Sequence, residues 1–143
     1  VENKDGISDA ERFVLCAVLF DKPYAKGVNI AGFDFHDPVR NKISDIISEA
    51  KENGKQIFPS TVAGLFDESE LVEYNAVLSS GDNVFGSNGE SRYFADCFSK
   101  IMKDKLEGEL AQLNEVFKAE TDTEKRKEIV TAIAKITAKL AKY

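Results

Sequence analysis

Apolar residues recur every three or four positions along several segments of this chain, which is the spacing of one face of an α-helix. The last segment shows this most clearly, with Ile129, Ile133, Ile136, Leu140 and Tyr143 forming one stripe. A second stripe precedes it and comprises Phe94, Cys97, Phe98, Ile101, Leu106, Leu110, Leu113 and Phe117. Strict apolar and polar alternation, which indicates strands, does not persist anywhere in the sequence. We therefore predict an all-α protein with six or seven helices.

Capping and breaking residues place the first helix. Ser8, with Glu11 three residues later, predicts a capping box ahead of the apolar run from Phe13 to Phe20. Pro23 ends this helix, because proline disfavours helical geometry in the residue before it. The helix is almost wholly apolar, so we expect it to be central.

Similar signals place the elements that follow. Asp37 is predicted to cap an isoleucine-rich helix that begins at Pro38 and stops at Asn53-Gly54. Two shorter helices are predicted, one opening at Pro59 and reaching Phe66 and the other over residues 68–78. The stretch 79–91 is rich in Gly, Ser and Asn and is predicted to be a loop.

The two apolar stripes predict a helical hairpin at the end of the chain. A long helix over about residues 91–118 turns at Thr121 or Asp122 into a final helix. We expect a helical body over residues 1–104 and a hairpin over residues 105–143, joined by one continuous helix. Two helices alone bury too little apolar surface to be stable, so the hairpin needs the body or another protein. The predicted partner-binding residues are Phe117, Ile133, Ile136, Lys139, Leu140 and Tyr143.

Charge is unevenly distributed, and this changes which partners are expected. The net charge is −6, which argues against a nucleic-acid-binding surface. From Asp122 to Tyr143, however, six basic side chains accompany three acidic ones, so this segment carries +3 and the preceding residues carry −9. Lysines in a last helical turn also complement the helix dipole. We predict that Lys125, Arg126 and Lys139 steer the hairpin toward an acidic partner.

Composition indicates a soluble cytoplasmic protein. No apolar run approaches the roughly 20 residues that cross a bilayer, and the opening VENKDG lacks the features of a signal peptide. Cys16 and Cys97 lie within apolar helical patterns and are predicted to be buried thiols. Because the chain begins with Val1 and its single methionine is Met102, we expect a fragment of a longer protein.

The sequence predicts no catalytic residue, no metal site and no cofactor. His36 is the single histidine, so a histidine metal site or a Ser-His-Asp arrangement lacks the residues it needs. We expect this side chain to be partly exposed at a helix start beside Asp37. The abundant acidic residues fall opposite the apolar stripes and are interpreted as a solvated surface.

The order of several short motifs resembles the C-terminal helicase-binding domain of bacterial DNA primase. The motifs are Ala10-Glu11-Arg12, Asp21-Lys22-Pro23, Phe35-His36-Asp37-Pro38-Val39-Arg40, Gly54-Lys55, ESELVEYNAVL and YFADCFSKIMKDKLEGELAQL, followed by a charged final helix. The resemblance covers nearly the whole chain. It rests on the order of the motifs, since each motif is weak alone.

This resemblance implies a non-catalytic module whose partner is the hexameric replicative DNA helicase. The hairpin would dock on the N-terminal domains of the helicase and supply most of the affinity, and the body would help to stimulate it. Primer-synthesising domains would lie upstream. Two alternatives stay open: the N-terminal domain of the replicative helicase itself, which has a similar body and hairpin, and a small all-α ligand-binding protein with a pocket among its phenylalanines.

Overall fold

The structure, a computed structural model, describes residues 6–30 and 33–143. Within these ranges the chain forms six α-helices and one 3₁₀ turn and contains no strand, so the all-α prediction is confirmed. The opening residues 1–5, from which a signal peptide was excluded, lie outside the described residues. The helices are α1 (Ile7–Leu19), α2 (Pro38–Glu52), α3 (Pro59–Ala63), α4 (Glu68–Ser79), α5 (Glu90–Ala119) and α6 (Thr123–Leu140), and the 3₁₀ turn is Pro23–Ala25.

The chain divides into two compact units, Val1–Phe98 and Ser99–Tyr143. Helix α5 begins in the first unit and ends in the second without interruption, as the continuous apolar stripe predicts. The predicted division after residue 104 falls within the same helix, and the division in the structure comes earlier, after Phe98.

Helix α1 forms the centre of the first unit. It packs against α2 and α4, which also pack against each other. Phe13 and Leu15 are completely buried, and burial of such side chains stabilises the fold by about 1.5–3 kcal/mol each. The nearly continuous apolar sequence of α1 follows from this position, because several neighbours surround the helix. Cys16 and Cys97 are buried free thiols, as predicted.

The predicted capping box at the start of α1 is wrong. The N-cap is Gly6, whose backbone is left-handed (φ 76°), and no side chain caps the helix. Ser8 is already inside the helix and buried, and the Glu11 carboxylate accepts hydrogen bonds from Arg40 and His36. A buried arginine left without partners would cost more than a missing cap, which explains why Glu11 serves it instead.

Helix α2 begins and ends where its sequence signals predict. The Asp37 side chain accepts hydrogen bonds from the backbone N–H groups of Val39 (2.8 Å) and Arg40 (3.3 Å). Pro38 is the first helical residue, and Asn53 is the C-cap ahead of Gly54, which has a positive φ of 65°. Asp37 therefore satisfies donors that the first turn of a helix otherwise leaves open.

Helices α3 and α4 differ from their predictions in detail. Helix α3 ends at Ala63 rather than near Phe66, whose ring stacks on Tyr74 at 4.9 Å between centroids. A capping box that the sequence analysis did not identify opens α4, because Asp67 and Glu70 exchange side-chain to backbone hydrogen bonds. Hydrogen bonds from the Ser69 hydroxyl and the Glu70 N–H hold the pKa of Asp67 below its ordinary value.

Aromatic rings fill the space between α1 and the start of α5 in the first unit. Phe13 meets Tyr93 edge-on at 4.8 Å, and Phe94 lies nearly parallel to Phe98 at 6.3 Å. Such pairs stabilise a core beyond the area that they bury. Rings that contact one another in this way form part of the core of the first unit.

Candidate partner-binding hairpin

Arg126 fastens the turn between α5 and α6. Its Nη1 donates to the carbonyl oxygens of Glu120 (2.7 Å) and Phe117 (3.2 Å), at the end of α5. The guanidinium also lies over the Phe117 ring, 3.9 Å from the centroid. Carbonyl groups at a helix C-terminus have no partner within the helix, so one arginine here satisfies two of them. Arg126 of α6 is therefore bonded directly to the end of α5.

The turn itself is short and locally bonded. The Glu120 carboxylate accepts hydrogen bonds from the N–H groups of Thr121 and Asp122, each at 3.1 Å. Asp122 is the N-cap residue of α6, one of the two predicted caps, although its side chain makes no capping hydrogen bond. The geometry of the turn is thus set by Glu120 and Arg126, two residues whose structural role the sequence analysis did not predict.

Helix α6 contains no buried residue. Its stripe residues Ile129, Ile133, Ile136 and Leu140 are only half-buried, and Val130 is 51% exposed. Along α5 the stripe is covered unevenly, since Leu106 is buried whereas Leu110, Leu113 and Phe117 are half-buried. The hairpin consequently presents a substantial apolar surface to solvent.

Two open apolar grooves lie on the surface of the hairpin. The first has a volume of about 320 Å³ and is lined by Leu113, Val116 and Ile136, with Glu109 and Gln112 also contributing. The second has a volume of about 510 Å³, and its lining residues are Phe117, Thr123, Arg126, Lys127, Val130 and Thr131. Apolar grooves of this kind receive the side chains of an amphipathic helix.

The predicted partner-binding residues are not all in one place. Ile136 lines the first groove and Phe117 the second, while Ile133 and Leu140 are half-buried elsewhere on α6. Tyr143 lies beyond the end of α6 at Leu140, so its predicted place in the helical stripe is wrong. Its side chain is 44% exposed, and its N–H donates to the Leu140 carbonyl.

The predicted steering residues also differ in their surroundings. Lys125 and Lys139 are exposed. Arg126 is half-buried. Its guanidinium donates to the turn and stacks on Phe117, so the contacts that it makes lie within the hairpin. Lys127, which was not predicted, is exposed on the second groove, with Glu124 at 3.6 Å. Steering by these residues stays a prediction.

A buried ion-pair cluster in the first unit is the main feature that the sequence analysis missed. Arg40 is 1% exposed and Glu11 is 2% exposed, and Arg40 Nε lies 2.9 Å from Glu11 Oε1. Arg40 Nη1 also reaches Glu73 Oε2 at 2.8 Å, and Arg12 bonds both oxygens of Glu73 at 2.7 and 2.8 Å. The cluster therefore ties together α1, α2 and α4.

The buried positive and negative charges in this cluster compensate one another. Burial alone would raise the pKa of Glu73, but hydrogen bonds from Arg12 and Arg40 outweigh it and lower the pKa below the ordinary value. His36 is half-exposed at the edge of the cluster, with its Nδ1 2.7 Å from Glu11 Oε2, which agrees with the predicted partly exposed position. Two arginines neutralise two carboxylates, so the cluster is suited to holding three helices in register.

A sequence signal for this cluster existed. Glu11-Arg12 borders the apolar run of α1, and a charged pair beside the face of a central helix requires partners. Arg40 and Glu73 lie in the motifs that carry the resemblance to primase. The pairing of Glu73 could not be deduced from the sequence, because Glu73 follows Arg40 by 33 positions and Arg12 by 61.

Within residues 6–30 and 33–143, no group of three or more His, Cys, Asp and Glu side chains is placed to hold a metal ion. Over the same residues, no helix combines the length and apolarity that a bilayer crossing requires.

Comparison with known proteins adds no family. No family model matches the chain, and no curated protein or solved structure matches it significantly.

Proposed function

We propose that this chain is a protein–protein interaction module that binds the replicative DNA helicase through the hairpin of α5 and α6. In this proposal it acts in the cytoplasm as part of a bacterial DNA primase and recruits primase to the replication fork. The module itself contributes no catalytic residue and requires no cofactor. Its contact with the helicase depends on protein surfaces alone and not on direct contact with nucleic acid.

The observation that carries the proposal is the complete lack of buried residues in α6. An eighteen-residue helix with an isoleucine stripe normally buries that stripe, because each large apolar side chain gains about 1.5–3 kcal/mol on burial. Here Val130 and Tyr143 are about half exposed and two apolar grooves are open. A partner that fills these grooves would bury apolar side chains that the chain alone leaves exposed, and this burial would stabilise the complex.

The charge distribution supports a partner with an acidic contact surface. Residues 99–143 contain ten Lys and Arg against eight Asp and Glu, whereas residues 1–98 contain nine against seventeen. Lys125, Lys127 and Lys139 are exposed on α6. Complementary charge of this kind raises the rate of association more than the final affinity.

Titration of the hexameric helicase of the same organism into the chain, followed by calorimetry, tests the proposal. Ile136→Asp places a charge in the first groove, and Tyr143→Ala removes an exposed aromatic side chain that lies outside the helix. We expect each change to weaken binding about tenfold or more, as loss of an interface anchor does.

Val72→Asp is the matched control, since Val72 is an exposed apolar residue on α4 in the first unit. Circular dichroism of each variant verifies that helix content is retained. Wild-type affinity in both hairpin variants, or an equal loss in the control, would show that the hairpin is not the docking surface. Lys125→Gln and Lys139→Gln should slow association at low salt and have little effect at high salt.

A further inference from the structure

The guanidinium of Arg126 is fixed in one orientation at the second groove of the hairpin. Its Nη1 donates to the carbonyl oxygens of Glu120 and Phe117, and its Cζ lies 3.9 Å from the centroid of the Phe117 ring. Arg126 and Phe117 both line this groove. Because the chain already orders this arginine, little side-chain freedom is left to lose when a partner binds.

One edge of the same guanidinium faces solvent. Nε and Nη2 of Arg126 donate to no atom in the part of the chain that the structure describes. No buried side-chain nitrogen or oxygen among the described residues lacks a partner, so these two nitrogens are accessible. Parallel N–H groups on one edge of an arginine match the two oxygens of a carboxylate. The accessible edge of Arg126 therefore has the geometry of a carboxylate site.

The charges that line the second groove also favour an anion. They are Arg126 and Lys127, and no carboxylate lines the groove. Glu124 lies 3.6 Å from Lys127, but both side chains are at least 70% exposed, and exposed pairs of this kind are weak. The Glu120 carboxylate accepts two backbone N–H groups of the turn. In the first groove the one charged lining residue is Glu109, so a carboxylate is attracted to the second groove and repelled from the first.

Apolar surface lies beside Arg126 in the second groove. Val130 is 51% exposed there, and the Phe117 ring is half-buried against the guanidinium. An amphipathic helix can bury Val130 under its apolar side chains and place a carboxylate from the edge of that face against Arg126. A wholly polar acidic segment would leave Val130 exposed, and a wholly apolar one would leave the arginine edge without an acceptor.

We propose that the second groove binds an amphipathic helix that carries an aspartate or glutamate beside its apolar side chains. This inference rests on the proposed function, since the replicative helicase is the partner that supplies the helix. Arg126 pairs with the carboxylate, Lys127 adds a weaker attraction, and Val130 packs against the apolar side chains. Arg126 thus acts by direct contact and not by long-range steering, so it affects mainly the rate of dissociation.

Nuclear magnetic resonance titration with a small probe tests the groove without the helicase. The probe 4-phenylbutanoate joins an aromatic ring to one carboxylate, and 4-phenylbutanamide is its neutral match. Each is added to the full chain labelled with ¹⁵N. We expect the acid to cause saturable shifts of the Arg126 Nε–H signal and of the amide signals of residues 117, 127 and 130. The amide should bind about fivefold more weakly or not at all, because it lacks the charge that the arginine edge pairs with.

Two variants give this titration its controls. Arg126→Lys should abolish the preference for the acid, because an ammonium lacks the planar pair of donors. Lys135→Gln removes an exposed cation of α6 that lines neither groove, and it should change nothing. Equal binding of the acid and the amide, or the lack of a saturable shift at these residues, overturns the proposal. Shifts at the groove that grow with the concentration of the protein alone would overturn it in favour of a second copy as the occupant.

Dissociation of the hexameric helicase from the full chain, followed by biolayer interferometry, tests the partner. Arg126→Lys should raise the rate of dissociation about tenfold at both low and high salt, and Lys135→Gln should leave it at the wild-type value. Because Arg126 also bonds the turn, hydrogen exchange in α6 checks that the hairpin stays folded. Val130→Glu leaves those bonds in place and puts a carboxylate into the groove, so it should weaken binding to a similar extent.

The two levels of the proposal fail in different ways. A helicase that binds the wild type, Arg126→Lys and Val130→Glu equally well overturns this inference and leaves the proposed function standing. A helicase that does not bind the wild-type chain overturns the proposed function and, with it, the helicase as the source of the helix. The titration with the acid and the amide then still decides whether the groove selects a carboxylate.

Discussion

Replacement of Arg40 by methionine should lower the free energy of unfolding of the first unit by more than a typical single substitution does. Arg40 is 1% exposed and donates to Glu11 at 2.9 Å and to Glu73 at 2.8 Å. Methionine has a long side chain like that of arginine but carries no charge. The substitution therefore leaves Glu11 buried without its main counter-charge. Glu73 loses less stabilisation, because both hydrogen bonds from Arg12 remain.

The expected magnitude follows from the burial of Glu11. Loss of one partner from a buried ion pair destabilises a protein by about 3–5 kcal/mol. Domains of ordinary size have a free energy of unfolding of about 5–15 kcal/mol, so the change removes a large part of it. Arg12→Met should cost less, since Arg12 is 26% exposed and Glu73 would still have Arg40.

Urea unfolding followed by circular dichroism measures these differences. Because the chain has two units, amide hydrogen exchange in α1 is needed to assign the change to the first one. Glu11→Met combined with Arg40→Met removes both charges, so it should cost less than the two single changes added together. A loss below about 1 kcal/mol for Arg40→Met, or strict additivity in the double variant, would refute this account of the cluster.

Three further changes test other parts of the structure. The pKa of Glu73 is lowered in the folded state, so its contribution to stability is present above the ordinary carboxyl value of 4.5 and is lost as the pH falls through the folded value. Glu73→Gln should therefore lower the urea midpoint at pH 7. The same variant should make the urea midpoint less dependent on pH below 4.5. Gly81→Ala should destabilise the first unit by about 1–3 kcal/mol in the same assay, because its Cβ would meet the Phe85 ring, whereas Gly27→Ala has open space and should be nearly neutral. Gly108→Ala, in the interior of α5 with nothing within 4 Å of its Cβ, should raise stability by about 0.5–1 kcal/mol, and unchanged thermal unfolding would contradict that expectation.

Local sequence signals predicted the helices well where backbone chemistry decides the outcome. Asp37 caps α2 because its carboxylate bonds two exposed backbone donors, and Gly54 follows its end because the backbone there has positive φ. The apolar periodicity of α5 predicted its bounds within one residue at each end. These features depend on residues within a few positions of one another, so one sequence suffices to identify them.

Local sequence signals gave wrong or no predictions where residues far apart in the sequence contact each other. Ser8 and Glu11 have the spacing of a capping box, yet the buried guanidinium of Arg40, 29 positions after Glu11, determines where the carboxylate points. Phe85 lies in a segment that looks like an ordinary flexible loop, and its contact with Gly81 depends on rings contributed by α1. The apolar stripe of α6 is visible in the sequence, but the grooves and the contacts of Arg126 with the turn depend on the three-dimensional structure.

The way in which Arg126 fastens its turn has a kinetic consequence. Its bonds to Glu120 and Phe117 span 6 and 9 positions, whereas those from Arg12 and Arg40 to Glu73 span 61 and 33. Short loops close within about 10–100 ns, and rates of folding fall as the mean separation of contacting residues grows. We expect this turn to close early but only transiently, because two helices alone bury too little apolar surface to stay folded, and the ion pairs of the first unit to form in a later and much slower phase of refolding from urea.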